Sequence, residues 1–223
     1  MPKRSFNATR GASTFKRARS AMQPNIQKAV RVSAAEMKNF SVFHNYYQPA
    51  ANGDITSLVE IATGAGEHQR VGNQIRAQYM RYRIKSFGNP HCVVKQGHSQ
   101  RFVLIRWKGT SVPTVTDILD DGSGALWAGA PPQTPYNVNK RHMFDVLMDR
   151  LILLGTGNTT EGVSTGLPAQ RFHEGTVSLK GGAVNYDGIS TTGPQNGLYL
   201  LRIGSDLANS SYYEGVFQTF YTD

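Results

Sequence analysis

The sequence has 223 residues, 39% of them hydrophobic and 17% charged, with a formal net charge of +9. That length provides one large β domain or two small ones, and the hydrophobic share can supply a core. One cysteine, Cys92, excludes an intrachain disulfide framework and a four-cysteine zinc site, and it suits folding in a reducing compartment.

The placement of the charge matters more than its size. Residues 1–35 carry eight basic side chains, Lys3, Arg4, Arg10, Lys16, Arg17, Arg19, Lys28 and Arg31, and no Asp or Glu. Residues 36–223 hold sixteen basic and fifteen acidic residues, so the body is nearly neutral. Such asymmetry marks a tail that binds a polyanion. A solubilising tail is the plainer alternative, and Lys16-Arg17-Ala18-Arg19 would also serve nuclear import. The low charge content of the body suits a protein that buries its surface against copies of itself.

In chain order, residues 1–22 read as disordered, being rich in Ser, Ala, Thr, Lys and Arg. Residues 24–38 predict a short amphipathic helix. Pro24 opens it, Ile26, Val30 and Met37 share one face, and Lys28, Arg31 and Lys38 share the other. No apolar run follows the first basic residues, so no secretory signal is expected, and no apolar stretch is long enough to span a bilayer. From about residue 40 the texture changes to short apolar or alternating runs broken by Gly, Pro, Asn and Asp. Strands are predicted at 55–62, 74–86, 101–107, 144–154, 197–204 and 211–222, with a pair in 171–186 around Gly181-Gly182. Val103-Leu104-Ile105 is apolar on both faces, as in a sandwich core strand. The segment 74–86 breaks its period of two, and a bulge near Tyr79-Met80 would account for the slip. A helical turn is predicted at 114–120, after Pro113. Many short strands, decorated loops and little helix indicate an all-β sandwich or jelly roll.

Enzyme signatures are missing from the sequence. The histidines, His44, His68, His91, His98, His142 and His173, show no helical zinc spacing. His91, Cys92 and His98 fall in an expected loop without a fourth ligand. Gly155-Thr156-Gly157-Asn158-Thr159 lacks the Lys-Ser/Thr ending of a phosphate-binding loop, and no Gly-x-Ser-x-Gly elbow occurs. The arm carries the clearest chemistry, namely cations for phosphates with no base-reading motif. It would bind through counterion release.

Four stretches carry a family resemblance: AEMKNF at 35–40, GNQIR at 72–76, RFVLIRW with VPTVTDIL at 101–107 and 112–119, and the run from AVNYDG through LYLLRIGSDL to SSYYEGVFQTFYTD at 183–223. Across roughly residues 28–223 the sequence resembles the coat proteins of the satellite tobacco necrosis virus type and those of small circular single-stranded DNA viruses. The resemblance implies a viral capsid protein, not an enzyme. It implies a single jelly roll of eight strands in two four-stranded antiparallel sheets, spanning 39–223, with residues 1–38 as a basic N-terminal arm. It further implies sixty copies in the smallest (T=1) icosahedral shell around single-stranded DNA or RNA, found in the virion and, during assembly, in the host nucleus or cytoplasm. No membrane partner is expected. A nonassembling nucleic-acid-binding or shuttle protein is the alternative.

The resemblance also implies Ca2+ between subunits. Glu36 and Asp223 match carboxylate ligands, and Val71 and Gln74 match positions that offer backbone carbonyls, a donor set that suits calcium. Read alone, Glu36 would equally cap the arm helix, and Asp223 would be a frayed end. Residues 121–137 and 155–170 depart from the family pattern, which puts ions built from those loops in doubt.

Overall fold

The computed structural model describes residues 36–88, 98–120, 132–154, 159–160, 163–164, 170–205 and 211–223. Met37–Asp223 form one compact unit. Its strands are β1 (Lys38–Tyr47), β2 (Asp54–Ser57), β3 (Gln74–Phe87), β4 (His98–Trp107), β5 (Phe144–Leu154), β6 (Thr159–Thr160), β7 (Val163–Ser164), β8 (Gln170–Asn185), β9 (Gly197–Gly204) and β10 (Tyr212–Thr222).

Eight of these build a sandwich of two antiparallel four-stranded sheets, in the order β1-β10-β3-β8 and β2-β9-β4-β5, while β6 and β7 pair separately. Strands that follow one another in the chain alternate between sheets, apart from the β4–β5 pair. That order is a jelly roll, as the sequence predicts.

The core between the sheets is apolar and tightly closed. Ile75, Met80, Phe102, Leu104, Leu200 and Phe217 meet there. A second cluster covers the opposite face of the β2-β9-β4-β5 sheet, where Val103, Ile105, Tyr199, Leu201 and Ile203 pack under Ile118, Leu119 and Phe144. The double apolar character of Val103-Leu104-Ile105 thus has a cause: Leu104 faces the sandwich, and its neighbours face the outer cluster. Among the described residues the other sheet has no such cover over β3, where Arg76, Arg81 and Arg83 stand exposed.

The helical turn is α1 (Val115–Ile118). Asp117 Oδ2 accepts from the Thr114 backbone N–H at 2.7 Å and from its hydroxyl at 2.8 Å, which caps the turn. Ile118 is its buried anchor.

Several elements differ from expectation. The first strand, β1, begins at Lys38 and is unannounced in the sequence, because its inward positions include Lys38 and His44. Segment 55–62 keeps strand geometry only to Ser57; Leu58 donates one further backbone bond to the Leu198 carbonyl at 2.9 Å, and Leu58, Val59 and Ile61 are buried. Segment 171–186 is one strand, not two. There, β3 places only Gln78 between Ala77 and Tyr79, whereas β8 places three residues between their partners Gly182 and Ser178. Lys180 and Gly181, at φ 55° and 64°, absorb the excess as a bulge. Gly181-Gly182 is therefore a kink within a strand. The slip predicted near Tyr79 lies at Gln78.

Candidate functional site

The eight arm cations, Lys3, Arg4, Arg10, Lys16, Arg17, Arg19, Lys28 and Arg31, lie outside the described residues, as does the 24–35 part of the helix expected at 24–38; Glu36 and Met37 are not helical. Lys38, expected at the end of that helix, is the buried first residue of β1.

Lys38 leads to the residues matched to calcium ligands. Its Nζ donates to Asp223 Oδ2 at 2.6 Å and to the Gln69 carbonyl at 3.1 Å. The Val71 backbone N–H donates to Asp223 Oδ1 at 3.1 Å. Val71 and Asp223 are thus brought together, but through an amide N–H and not a carbonyl. Gln74 turns its side chain to Asn185, with Nε2 donating to Oδ1 at 2.7 Å. Glu36 is exposed. Calcium takes six to eight oxygens. Around Asp223 both carboxylate oxygens already accept from donors, and one of those donors is an ammonium. Within one copy, the Asp223 carboxylate is held by the Lys38 ammonium and the Val71 amide N–H.

A buried cation also organises the interior. Arg202 is 1% exposed. It forms an ion pair with Asp54, and it donates to the Tyr213 hydroxyl at 2.6 Å and to Thr56 Oγ1 at 2.6 Å. Its Nη1 also lies 3.1 Å from the His44 ring nitrogens, and its guanidinium stacks 4.4 Å from the centroid of Tyr47. Burial first, and Arg202 second, pull the His44 pKa down to about 4. Burial raises the Asp54 carboxyl above its usual range although Arg202 opposes the shift. The cluster ties β1, β2, β9 and β10 together, across both sheets.

Arg70, fully buried, ties the loop before β3 in the same manner. It donates to the carbonyls of Ile61, Gly72, Gly188 and Ser190 and lies 4.0 Å from the Tyr186 ring centroid. On the second sheet, Arg101 grips Asp149 with two bonds of 2.9 and 2.7 Å. Burial would raise the Asp149 carboxyl, but the bonds from Arg101 and from Tyr136 hold it below its ordinary value.

These clusters are structural in their chemistry, each charge being satisfied by a fixed partner. Among the described residues no group of three His, Cys, Asp or Glu side chains gathers as a metal site. His98 is a buried β4 residue and not part of a loop; His91 and Cys92 lie outside the described residues. Nor is any described helix long and apolar enough to cross a membrane.

The exposed apolar side chains are the feature that sequence inspection missed. Phe43 and Phe172 are 71% and 72% exposed, and Val216 is 37% exposed. Register brings them onto one face: Val216 pairs with both Phe43 and Arg83, and Phe172 pairs with Lys85 on the same strand as Arg83. They border a shallow depression of about 780 Å³. Leu151 and Leu153 project from β5 of the other sheet, 44% and 63% exposed. Large apolar groups clustered in solvent mark interaction surfaces. Only knowledge of the strand pairing shows that Phe43 and Phe172 share a face.

No family model matches the chain, and no curated protein matches it. Among solved structures it is similar to one from Desmodium yellow mottle tymovirus, with 12% identity and a TM-score of 0.36, over 85% of this chain and 87% of that one. It is similar to the BFDV capsid protein crystallised as a 60-mer, with 11% identity and a TM-score of 0.28, over 83% and 90%. It is also similar to latent PorU from Porphyromonas gingivalis, with 8% identity and a TM-score of 0.37, over 85% of this chain but 14% of that one. At these scores the likenesses describe a broad β architecture and say nothing of function. The strand order itself establishes the chain as an eight-stranded jelly roll.

Proposed function

We propose that the chain is the coat protein of a small icosahedral virus, assembling as sixty copies in a T=1 shell and holding single-stranded DNA or RNA with its basic arm. The observation that carries this reading is the pairing of a jelly roll with solvent-exposed Phe43, Phe172 and Val216 on one sheet and Leu151 and Leu153 on the other. Contacts between different patches are heterologous, and they close into rings when the rotation allows. The resemblance of 183–223 to coat proteins supports the same reading, as does a segment of eight cations and no acid in residues 1–35. The arm neutralises phosphates, which lowers the repulsion between arms and lets the contacts between shell domains close. The role is structural, and its location is the virion.

Sedimentation velocity of the full chain, with nuclease treatment, tests this. One fast, homogeneous species that protects nucleic acid from digestion is expected. A slow species at every salt and protein concentration, binding nucleic acid without protecting it, would replace the shell with a nonassembling binder.

A further inference from the structure

One half of the outward face of the β1-β10-β3-β8 sheet differs from the other. Near Phe43 and Phe172 the cations are matched: Arg83 pairs with Glu174 at 3.2 Å and Lys85 with Glu214 at 3.5 Å. Toward the opposite end, Arg76 and Arg81 also point outward, and among the described residues no carboxylate pairs with either. Between them the irregularities of two strand pairs coincide. The β3–β8 register shifts between Ala77 and Tyr79, and the β10–β3 register shifts between Phe220 and Tyr221. Bulges re-aim side chains. Here they set Tyr79 and Phe220 side by side on the outer face, stacked with centroids 4.5 Å apart and planes 19° apart. The Arg81 guanidinium lies 5.5 and 5.4 Å from the two ring centroids. The flanking positions, Gln218, Thr176, Ser178 and Asn39, are polar and uncharged.

We propose that this half-face, with Arg76, Tyr79, Arg81 and Phe220 at its centre, binds single-stranded nucleic acid directly, as a second site beyond the arm. An unpaired arginine beside an aromatic platform is what a single strand needs: the guanidinium takes phosphate, and the ring takes an unpaired base whatever its identity. Same-face side chains on a strand repeat on the order of every 7 Å, a reach comparable to one nucleotide of an extended strand. Asn39 is in register with Phe220, which is in register with Tyr79, so β1 begins beside this row. The choice of ligand rests on the packaging reading. A second copy of the chain suits the apolar end of the face better than this one, where the unmatched charges of two copies would meet.

The test is photo-crosslinking of the wild-type full chain to a bromodeoxyuridine-substituted single-stranded oligonucleotide, followed by peptide mapping. Crosslinks on peptides carrying Tyr79 or Phe220 are expected, along with others in residues 1–35. Crosslinks confined to residues 1–35 would overturn the proposal. In parallel, Arg76→Gln/Arg81→Gln should lower the dependence of log affinity on log salt by about 1.4, at ~0.7 per lost phosphate contact on a single strand. Tyr79→Ala should weaken binding roughly 5- to 100-fold. If these variants keep wild-type affinity and slope but no longer form particles, the half-face is a contact between copies and the proposal fails. If the wild type crosslinks at Tyr79 but never assembles, the shell reading fails and this one stands. If the wild type binds no nucleic acid, both fail.

Discussion

Lys38 and Asp223, 185 positions apart in the sequence, form a partly buried ion pair with Nζ and Oδ2 2.6 Å apart. The pair closes the end of the sheet at which β1 begins and β10 ends, since Lys38 is in register with Tyr221. The Lys38 side chain is 6% exposed and that of Asp223 is 24% exposed. Removing one partner of such a pair strands the other, so Lys38→Met should cost about 1–3 kcal/mol, less than for a fully buried pair. Asp223→Asn should couple with it in a double-mutant cycle measured by denaturant unfolding, and strict additivity would mean that the pair contributes nothing. With an ammonium on the carboxylate, thermal unfolding of the wild-type protein should be the same in millimolar calcium as in a chelator. A calcium-dependent rise in the midpoint would show that the ion displaces or bypasses Lys38.

His44 predicts an acid-sensitive jelly-roll domain. Its folded-state pKa of about 4 lies below the unfolded value of 6.5. Between the two, the unfolded chain binds more protons, so stability falls as pH drops from about 6.5 toward 4 and loses nothing further from this group below that. Asp54, raised by burial, acts in the opposite sense just above its unfolded value of 3.8 and only trims the effect. The causes are burial first and the Arg202 guanidinium second, which donates to a neutral imidazole and repels an imidazolium. Unfolding free energy measured across pH 4–7 should slope upward with pH, and His44→Gln should flatten the slope. An equal slope in the variant would place the acid sensitivity elsewhere.

Arg70 should be among the least replaceable residues. Arg70→Leu leaves carbonyls of Ile61, Gly72, Gly188 and Ser190 without their donor and removes the cation over Tyr186. A loss of at least about 3 kcal/mol is expected, visible as a lowered denaturant midpoint. A loss below about 1 kcal/mol would mean that water replaces the guanidinium at these carbonyls.

Phe172 separates assembly from folding. At 72% exposure, Phe172→Glu should change the stability of the unassembled chain by no more than about 0.5 kcal/mol. The same change should abolish or sharply reduce particle formation in size-exclusion chromatography. Particles in normal yield would remove this face from the contacts between copies.

Much of the fold was legible because most strands alternate cleanly or are apolar throughout. The 144–154 and 197–204 strands match the predicted limits, and 74–86 and 211–222 differ from them by one residue. Strand β1 was hidden because Lys38 and His44 occupy inward positions, and their burial makes sense only once Asp223 and Arg202 are seen beside them. The β8 glycines suggested a turn because a bulge and a turn ask for the same positive φ. The site was less legible still. Tyr79 and Phe220 are 141 positions apart, and only the register of two irregular strand pairs stacks them. The calcium expectation rests on residue types at Glu36, Val71, Gln74 and Asp223, to which the structure adds the Lys38 ammonium on the Asp223 carboxylate.

The most direct measurement is negative-stain electron microscopy of the expressed full chain, with the 260 to 280 nm absorbance ratio recorded on the same fraction. Uniform small spherical particles with a nucleic-acid-rich ratio are the predicted result. Monomers or small oligomers alone, at every salt concentration tried, would contradict the account of this protein as a shell that packages nucleic acid.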